Sequence, residues 1–419
     1  MKHRYSRIVS LIFGLAMLTG LAVPPSAAQS KPQRQTPRGN EKRNERPKPK
    51  TAEELKAEEE ERKRLEEERK AVPLEGVIKV DTDIVSVETV VFNKKSGQII
   101  TGLKKENFGI FEDGVKQNIS SFATPDAPIT VTLILEYSKW TEIFGRANGG
   151  YFEPGVYESV RPVAQFLTGF IKPPDDYASV IAFDIRPTPI TDFTNDPKRI
   201  RETINILLRN RPAFRENNLF DAIKFALVGG RGDAVVLEDT EARQADYAGM
   251  VNVKSKRRAI ILVASGIDTF SKISYGKVRN IIQEAGIPLY IISTGNMFCK
   301  RYCQFLDPSR VMPGMPDRMT FLQAKNQMNT FAKDSGGMHF EMTFESEIPD
   351  YLQSINGLLR SQYSIAYDLP RPHEPGKKYK LDVKVDVDGD GTYDDKQFEV
   401  KHRPYVITPE PEEKKEKDG

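Results

Sequence analysis

The sequence predicts an α/β fold, a mainly parallel, doubly wound sheet flanked by small β-modules before and after it. Three observations carry this. Over 129–360, short and nearly solid apolar runs alternate with segments of helical period. Strands without a polar face need cover on both sides, which helices on the two faces of a parallel sheet provide. On either side, over 77–122 and 362–407, β-branched residues recur with a period of two instead. A chain of 419 residues also has room for roughly two to three domains, and its 38% hydrophobic content is diluted by charged ends.

At the amino end, Lys2, Arg4 and Arg7 precede an apolar run over 8–21, and Ser26-Ala27-Ala28 offers a small-x-small cleavage site. Residues 1–28 therefore read as a signal peptide. Their apolar run is short against the roughly 20 residues of a membrane span. The mature protein is expected to be secreted or periplasmic, with no membrane span after signal removal. Residues 29–75 read as a disordered basic linker followed by a charged helix. Thr51-Ala52-Glu53-Glu54 is a capping box, and Glu59 with Lys63, Glu60 with Arg64 and Glu66 with Lys70 support the helix. Its large apolar residues are Leu55 and Leu65 alone, which suits a spacer and not a coiled coil. Residues 408–419 read as a disordered tail.

The β-module over 76–127 rests on Ile84, Val85, Val87, Val90 and Val91, on a turn at 93–97, and on a hairpin at Asp113-Gly114. The α/β domain over 128–361 then runs in order. Strands are expected at 129–135, 178–183, 189–193, 259–264, 289–292 and 338–342. Helices are expected at 156–171, 196–208 with Pro197 in its first turn, 219–227, 275–285 closed by Gly286, 321–333 and 348–360. Long loops fall at 231–256 and 298–316. The strands over 362–407 are expected to pack with the first β-module, with 386–395 as a hairpin tip.

Once the chain is parsed in this way, 129–140 resembles the first strand and turn of a von Willebrand factor A (VWA) domain, a Rossmann-like fold. Gly102-Leu103-Lys104-Lys105-Glu106-Asn107-Phe108 and Glu112-Asp113-Gly114 resemble the segment that precedes this domain in a VWA-related family common in Acidobacteria. The resemblance implies a divalent-metal site built from three loops at the carboxyl ends of the strands. In the first loop Glu136 stands for the usual Asp, Ser138 is retained and Trp140 replaces the second Ser. In the second, Asn217 holds the place of a Thr. In the third, Ser265 stands where an Asp would be, with Asp268 as the acid that a shifted register would supply. Divalent affinity follows ligand charge, so these substitutions and the neighbouring Lys139 predict a degenerate site without magnesium. Ser138 and Asp221 then read as turn and helix caps, with Trp140 over a closed site.

A second motif is Asp386-Val387-Asp388-Gly389-Asp390-Gly391-Thr392-Tyr393-Asp394-Asp395. Carboxylates at Asp386, Asp388, Asp390 and Asp394, with the Thr392 carbonyl, match the spacing of a calcium loop. Gln397 stands where the bidentate closing Glu would be, and the flanks are strands. Calcium and a solvated acidic turn are the two readings of this segment.

The net charge of +3 is small, and no aromatic-interleaved basic patch accompanies it, so nucleic acid is not an expected partner. Cys299 and Cys303 suit a local disulfide in an exported chain. No His lies in a nucleophile or zinc pattern, Ser265 is not on a Gly-x-Ser-x-Gly elbow, and no phosphate loop is present. An enzyme is not expected. The expected function is binding of a protein or an envelope surface polymer through Glu136, Ser138, Trp140, Asn217 and Ser265. The alternatives are a structural cell-envelope component and, behind it, a metal-assisted hydrolase.

Overall fold

The computed structural model describes residues 84–408, apart from Trp140, 142–145, 149–150, 154–155, Ala213, 234–243, 303–317 and 370–372. The expected signal peptide, linker, charged helix and tail lie outside the described residues, as do Trp140 and Cys303. Among the described residues no helix is long and apolar enough to cross a membrane.

Five strands come first: β1 (Ile84–Asn93), β2 (Ile99–Ile100), β3 (Phe108–Glu112), β4 (Val115–Gln117) and β5 (Ile119–Ala123). Between β3 and β4 the chain reverses on Asp113 and Gly114, whose φ angles are 48° and 81°. An Asp-Gly pair adopts such a backbone at little cost, as a two-residue hairpin loop requires.

The α/β domain opens with β6 (Ile129–Glu136), a ribbon of β7 (Arg146–Asn148) and β8 (Tyr151–Glu153), and helix α1 (Val156–Phe170). It continues through β9 (Tyr177–Phe183), β10 (Pro187–Thr194), α2 (Pro197–Arg209) and α3 (Leu219–Val228). A second ribbon, β11 (Gly230–Asp233) with β12 (Gln244–Tyr247), precedes β13 (Arg257–Ala264), α4 (Tyr275–Ala285) and β14 (Leu289–Ser293). The domain closes with α5 (Gly295–Tyr302), α6 (Arg318–Ser335), β15 (Met338–Glu341) and α7 (Ile348–Leu359).

Its sheet has the order β10-β9-β6-β13-β14-β15. Four neighbouring pairs are parallel and β10 is antiparallel to β9, so the sheet is mixed. Successive side chains of a strand point to opposite faces, and the core divides accordingly. Val131, Leu133 and Leu135 of β6 pack with Val163 and Leu167 of α1, Ile204 of α2 and Leu352 of α7. Ile134 faces the other way, with Ile223 of α3, Ile282 of α4 and Phe331 of α6. Thr132 shares that second face, and its hydroxyl pairs with Ser179 and Tyr247.

The last strands are β16 (Tyr363–Asp368), β17 (Lys378–Val385), β18 (Phe398–Lys401) and β19 (Tyr405–Ile407). They are interleaved with the first five. One antiparallel sheet runs β18-β1-β16-β5 with β2 beside β1, and the other runs β19-β17-β3-β4. Val87, Ile110, Tyr363, Ile365 and Val385 share the core between them. The α/β domain thus leaves from β5 and returns into β16, two strands that pair with each other. Arg257 ties the two bodies. Its fully buried guanidinium donates to the carbonyls of Pro125, Ala127 and Leu359.

Three expectations are corrected. The 231–256 loop contains β11, β12 and a 3-10 turn at Met250–Asn252, held because Tyr247 stacks between Phe193 and Phe225. The 298–316 loop begins inside α5, where Cys299 is disulfide-bonded. The segment 386–395 is not a hairpin tip. β17 pairs with β19 over Lys378–Lys380 and with β3 over Leu381–Val385, and the chain crosses to the other sheet, where β18 pairs with β1.

Candidate functional site

Three of the four described candidates converge on the fourth. Glu136 ends β6 and is 2% exposed. Its Oε1 accepts from Ser138 Oγ and from Asn217 Nδ2, both at 2.8 Å. Its Oε2 accepts from the Ser265 backbone N–H at 2.5 Å. The turn after β6, the loop before α3 and the loop after β13 are therefore joined through one carboxylate. Charge-assisted bonds of this kind are the stronger class, and burial strengthens them further. Asn217 Oδ1, by contrast, meets no donor among the described residues.

The loops are held by their own bonds. Lys139 N–H donates to the Phe214 carbonyl at 2.7 Å, while Thr269 and Phe270 N–H donate to the Asn217 carbonyl at 2.8 and 2.9 Å. Asn217 N–H donates to Thr269 Oγ1 at 2.8 Å. Asp268 stands outside the cluster. Its Oδ1 accepts from Leu219 N–H at 2.9 Å, Phe220 N–H at 3.3 Å and Ser271 Oγ at 2.5 Å. It serves the open N–H groups at the start of α3, and Asn218, at the N-cap, makes no side-chain cap bond. Burial pushes the Asp268 carboxyl above the usual carboxylate range, against these donors. Asp221 is not a cap for its own helix, because its oxygens accept from Lys272 and Ile273 N–H at 2.9 and 3.2 Å. Ser138 donates its hydroxyl to Glu136.

Two glycines let Ser265 approach. Gly266 turns the chain at φ 85°. A Cβ at Gly295 would fall on the Ser265 carbonyl oxygen, so the loops after β13 and β14 meet only because position 295 lacks a side chain.

This donor set does not fit a hard divalent ion. Such an ion needs several oxygens with free lone pairs and, for tight binding, carboxylate charge. Glu136 is the one carboxylate in the cluster, and three protein donors already use it. The Ser265 N–H points at Glu136 Oε2, where a metal ligand would have to offer an acceptor. The longer arm of Glu lets the carboxylate reach the donors of the other two loops.

The second candidate is separate in the chain and belongs to the β17–β18 crossing. Ligand atoms of Asp386, Asp388 and Asp394 lie within 4.8 Å of one another, an all-aspartate candidate metal site. Asp386 is buried, and its two oxygens accept from Gly389 and Gly391 N–H at 2.7 and 2.8 Å. Asp394 Oδ2 accepts from Val387 N–H at 2.8 Å. Asp390 is not in the group. Its Oδ1 takes the Thr392 N–H at 2.7 Å.

Sequence reasoning missed the exposed aromatics beside the first cluster, Phe214 at 42% and Phe270 at 54%. Each is a lone Phe inside a polar loop, which was the available signal.

No family model matches the chain, and no curated protein matches it in sequence. Among solved structures it is similar to the PilB minor pilin from Streptococcus sanguinis, at 11% identity and a TM-score of 0.38 over 56% of this chain and 62% of that one. It is similar to proximal thread matrix protein 1 from the mussel byssus, at 11% identity and a TM-score of 0.35 over 61% of this chain and 50% of that one. It is also similar to the vWF domain of the type V pili tip protein Mfa5 from Porphyromonas gingivalis, at 10% identity and a TM-score of 0.35 over 56% and 95%. The chain spans less than two thirds of the length of the first two proteins.

Proposed function

We propose that the chain is an exported, non-enzymatic VWA-type binding module of the family common in Acidobacteria. It recognises another protein or an envelope surface polymer through the loops at 136–140, 215–218 and 265–268, without a bridging divalent cation. The supporting observation is the Glu136 carboxylate, whose oxygens are used by Ser138, Asn217 and Ser265. An internal carboxylate joins the loops where a cation would otherwise do so, and the face is organised before any ligand arrives. Glu136, Ser138, Trp140, Asn217 and Ser265 are the residues assigned to this face.

A second element of the proposal is calcium at Asp386, Asp388 and Asp394, favoured by the approach of three carboxylates at one crossing. Calcium there would bind weakly and would tie the two sheets of the β-body at their rim.

The test is a thermal-shift titration of the full chain with magnesium, manganese and calcium. The proposal expects no shift from magnesium or manganese in the parent. A magnesium-dependent rise that disappears in Ser138→Ala would overturn the cation-free face. A calcium shift at millimolar levels that disappears in Asp388→Ala is expected, and its absence would remove the second element alone.

A further inference from the structure

Resting on that reading, we infer that the partner is a protein segment carrying clustered carboxylates beside an apolar side chain, held directly by Lys139, Arg215 and Lys272 with Phe214 and Phe270. Formal charge does not decide this, because Glu136, Glu216, Asp221 and Asp268 accompany the three cations. Presentation does. Glu136 is buried and spent on three donors. Asp268 and Asp221 are half-buried and turned onto backbone amides of α3 and of the 271–273 turn. Glu216 is exposed, but its Oε2 accepts from the Arg215 N–H at 3.1 Å. Lys139, Arg215 and Lys272 are exposed, and their side chains make no hydrogen bond or ion pair among the described residues.

The backbone bonds of the three loops set these groups together. Lys139 is bonded to Phe214, which precedes Arg215, and Phe270 is bonded to Asn217, two residues beyond Arg215. Lys272 is bonded to Asp221 at the first turn of α3. Two half-exposed phenylalanines therefore sit among three unpaired cations. Aromatic side chains with arginine are the commonest anchors of protein interfaces, and a guanidinium reads a carboxylate with two parallel bonds. An anionic polymer without apolar groups would leave both rings in water. A protein segment uses both features.

The test uses the full chain with EDTA present and fluorescence anisotropy of a labelled synthetic peptide of alternating Glu and Leu. Its counterpart replaces every Glu by Gln. The acidic peptide is expected to bind about tenfold tighter than the Gln peptide, and to weaken as salt rises. Lys139→Ala/Arg215→Ala/Lys272→Ala should remove that preference, while Phe214→Ala/Phe270→Ala should weaken both peptides. All five side chains are exposed, so an unchanged melting curve will confirm folding in each variant. Equal affinity for the two peptides, or an unchanged preference in the charge variant, overturns the inference. So does competition by polyphosphate that matches the acidic peptide. If the phenylalanine variant loses binding and the charge variant does not, the binding face stands and the acidic partner falls. If neither variant alters binding, both readings fall.

Discussion

Glu136→Ala should cost this protein more than any other single change at the loop junction. Removing the carboxylate leaves the Ser265 N–H and the Asn217 Nδ2 without an acceptor, in a place that is 2% exposed. An unsatisfied buried donor costs about 1–3 kcal/mol, and the Ser138 hydroxyl can rotate to find another partner. Two such donors give about 2–6 kcal/mol, and the vacated volume adds to this. The loss is a large part of the roughly 5–15 kcal/mol that holds an ordinary domain. Glu136→Gln keeps the shape but turns one N–H₂ group toward a donor, so it should lose about half as much. The assay is urea unfolding followed by circular dichroism, with each transition of this two-body chain fitted separately. A loss below about 1 kcal/mol for Glu136→Ala would refute the idea that the carboxylate joins the loops. Full rescue of Glu136→Ala by millimolar magnesium would refute it as well.

Other outcomes follow from single contacts. Asp268→Ala should cost about 1–2 kcal/mol and speed hydrogen exchange at Leu219 and Phe220, whose N–H groups it holds. Unchanged exchange there would show that Ser271 suffices. Arg257→Leu should cost about 1–3 kcal/mol, because the buried Leu359 carbonyl and the half-buried Pro125 and Ala127 carbonyls lose their donor, and should open 124–128 to limited proteolysis. His339 is held low, to about 4, chiefly by burial, with Glu341 raising it and Lys325 lowering it. Its folded value lies below its unfolded value, so its contribution is complete above about pH 6.5 and declines toward about pH 4. The ceiling is about 3 kcal/mol, cut to about 1–2 by solvent at this half-buried edge strand. His339→Gln should flatten stability over that interval, and an unaltered pH profile would contradict the assignment.

Local signals were legible wherever a short segment decides its own state. Ser274 and Gly286 bracket α4, with Lys277 N–H on the Ser274 hydroxyl and Gly286 left-handed, so both ends were readable. Asp196 with Pro197 opened α2 in the same way. The Asp113-Gly114 turn needed only its own two residues. The β11–β12 ribbon was not readable, because its sequence is polar and its hold comes from Tyr247 stacking on Phe225 of the helix just before it and on Phe193, which lies far from it along the chain. The 386–395 segment misled for a similar reason. Its flanks alternate as a hairpin would, but strand partners are assigned by competition across the whole fold, and β18 pairs with β1 while β17 pairs with β3 and β19.

The same division holds at the candidate site. The sequence by itself determined an α/β core with β flanks, and its resemblance to VWA domains implied three loops at the carboxyl ends of the strands carrying Glu136, Ser138, Asn217 and Ser265, with a charge poor for a divalent ion. Those are statements about residue type and order along the chain. Only the tertiary structure decided that Glu136 itself accepts from the other three, that Asp268 belongs to the start of α3, and that Lys139, Arg215 and Lys272 are left unpaired among the described residues. Hydrogen bonds across 81 and 129 residues depend on where β6, α3 and β13 come to rest against one another. Packing of the whole domain sets that distance, and no local pattern encodes it.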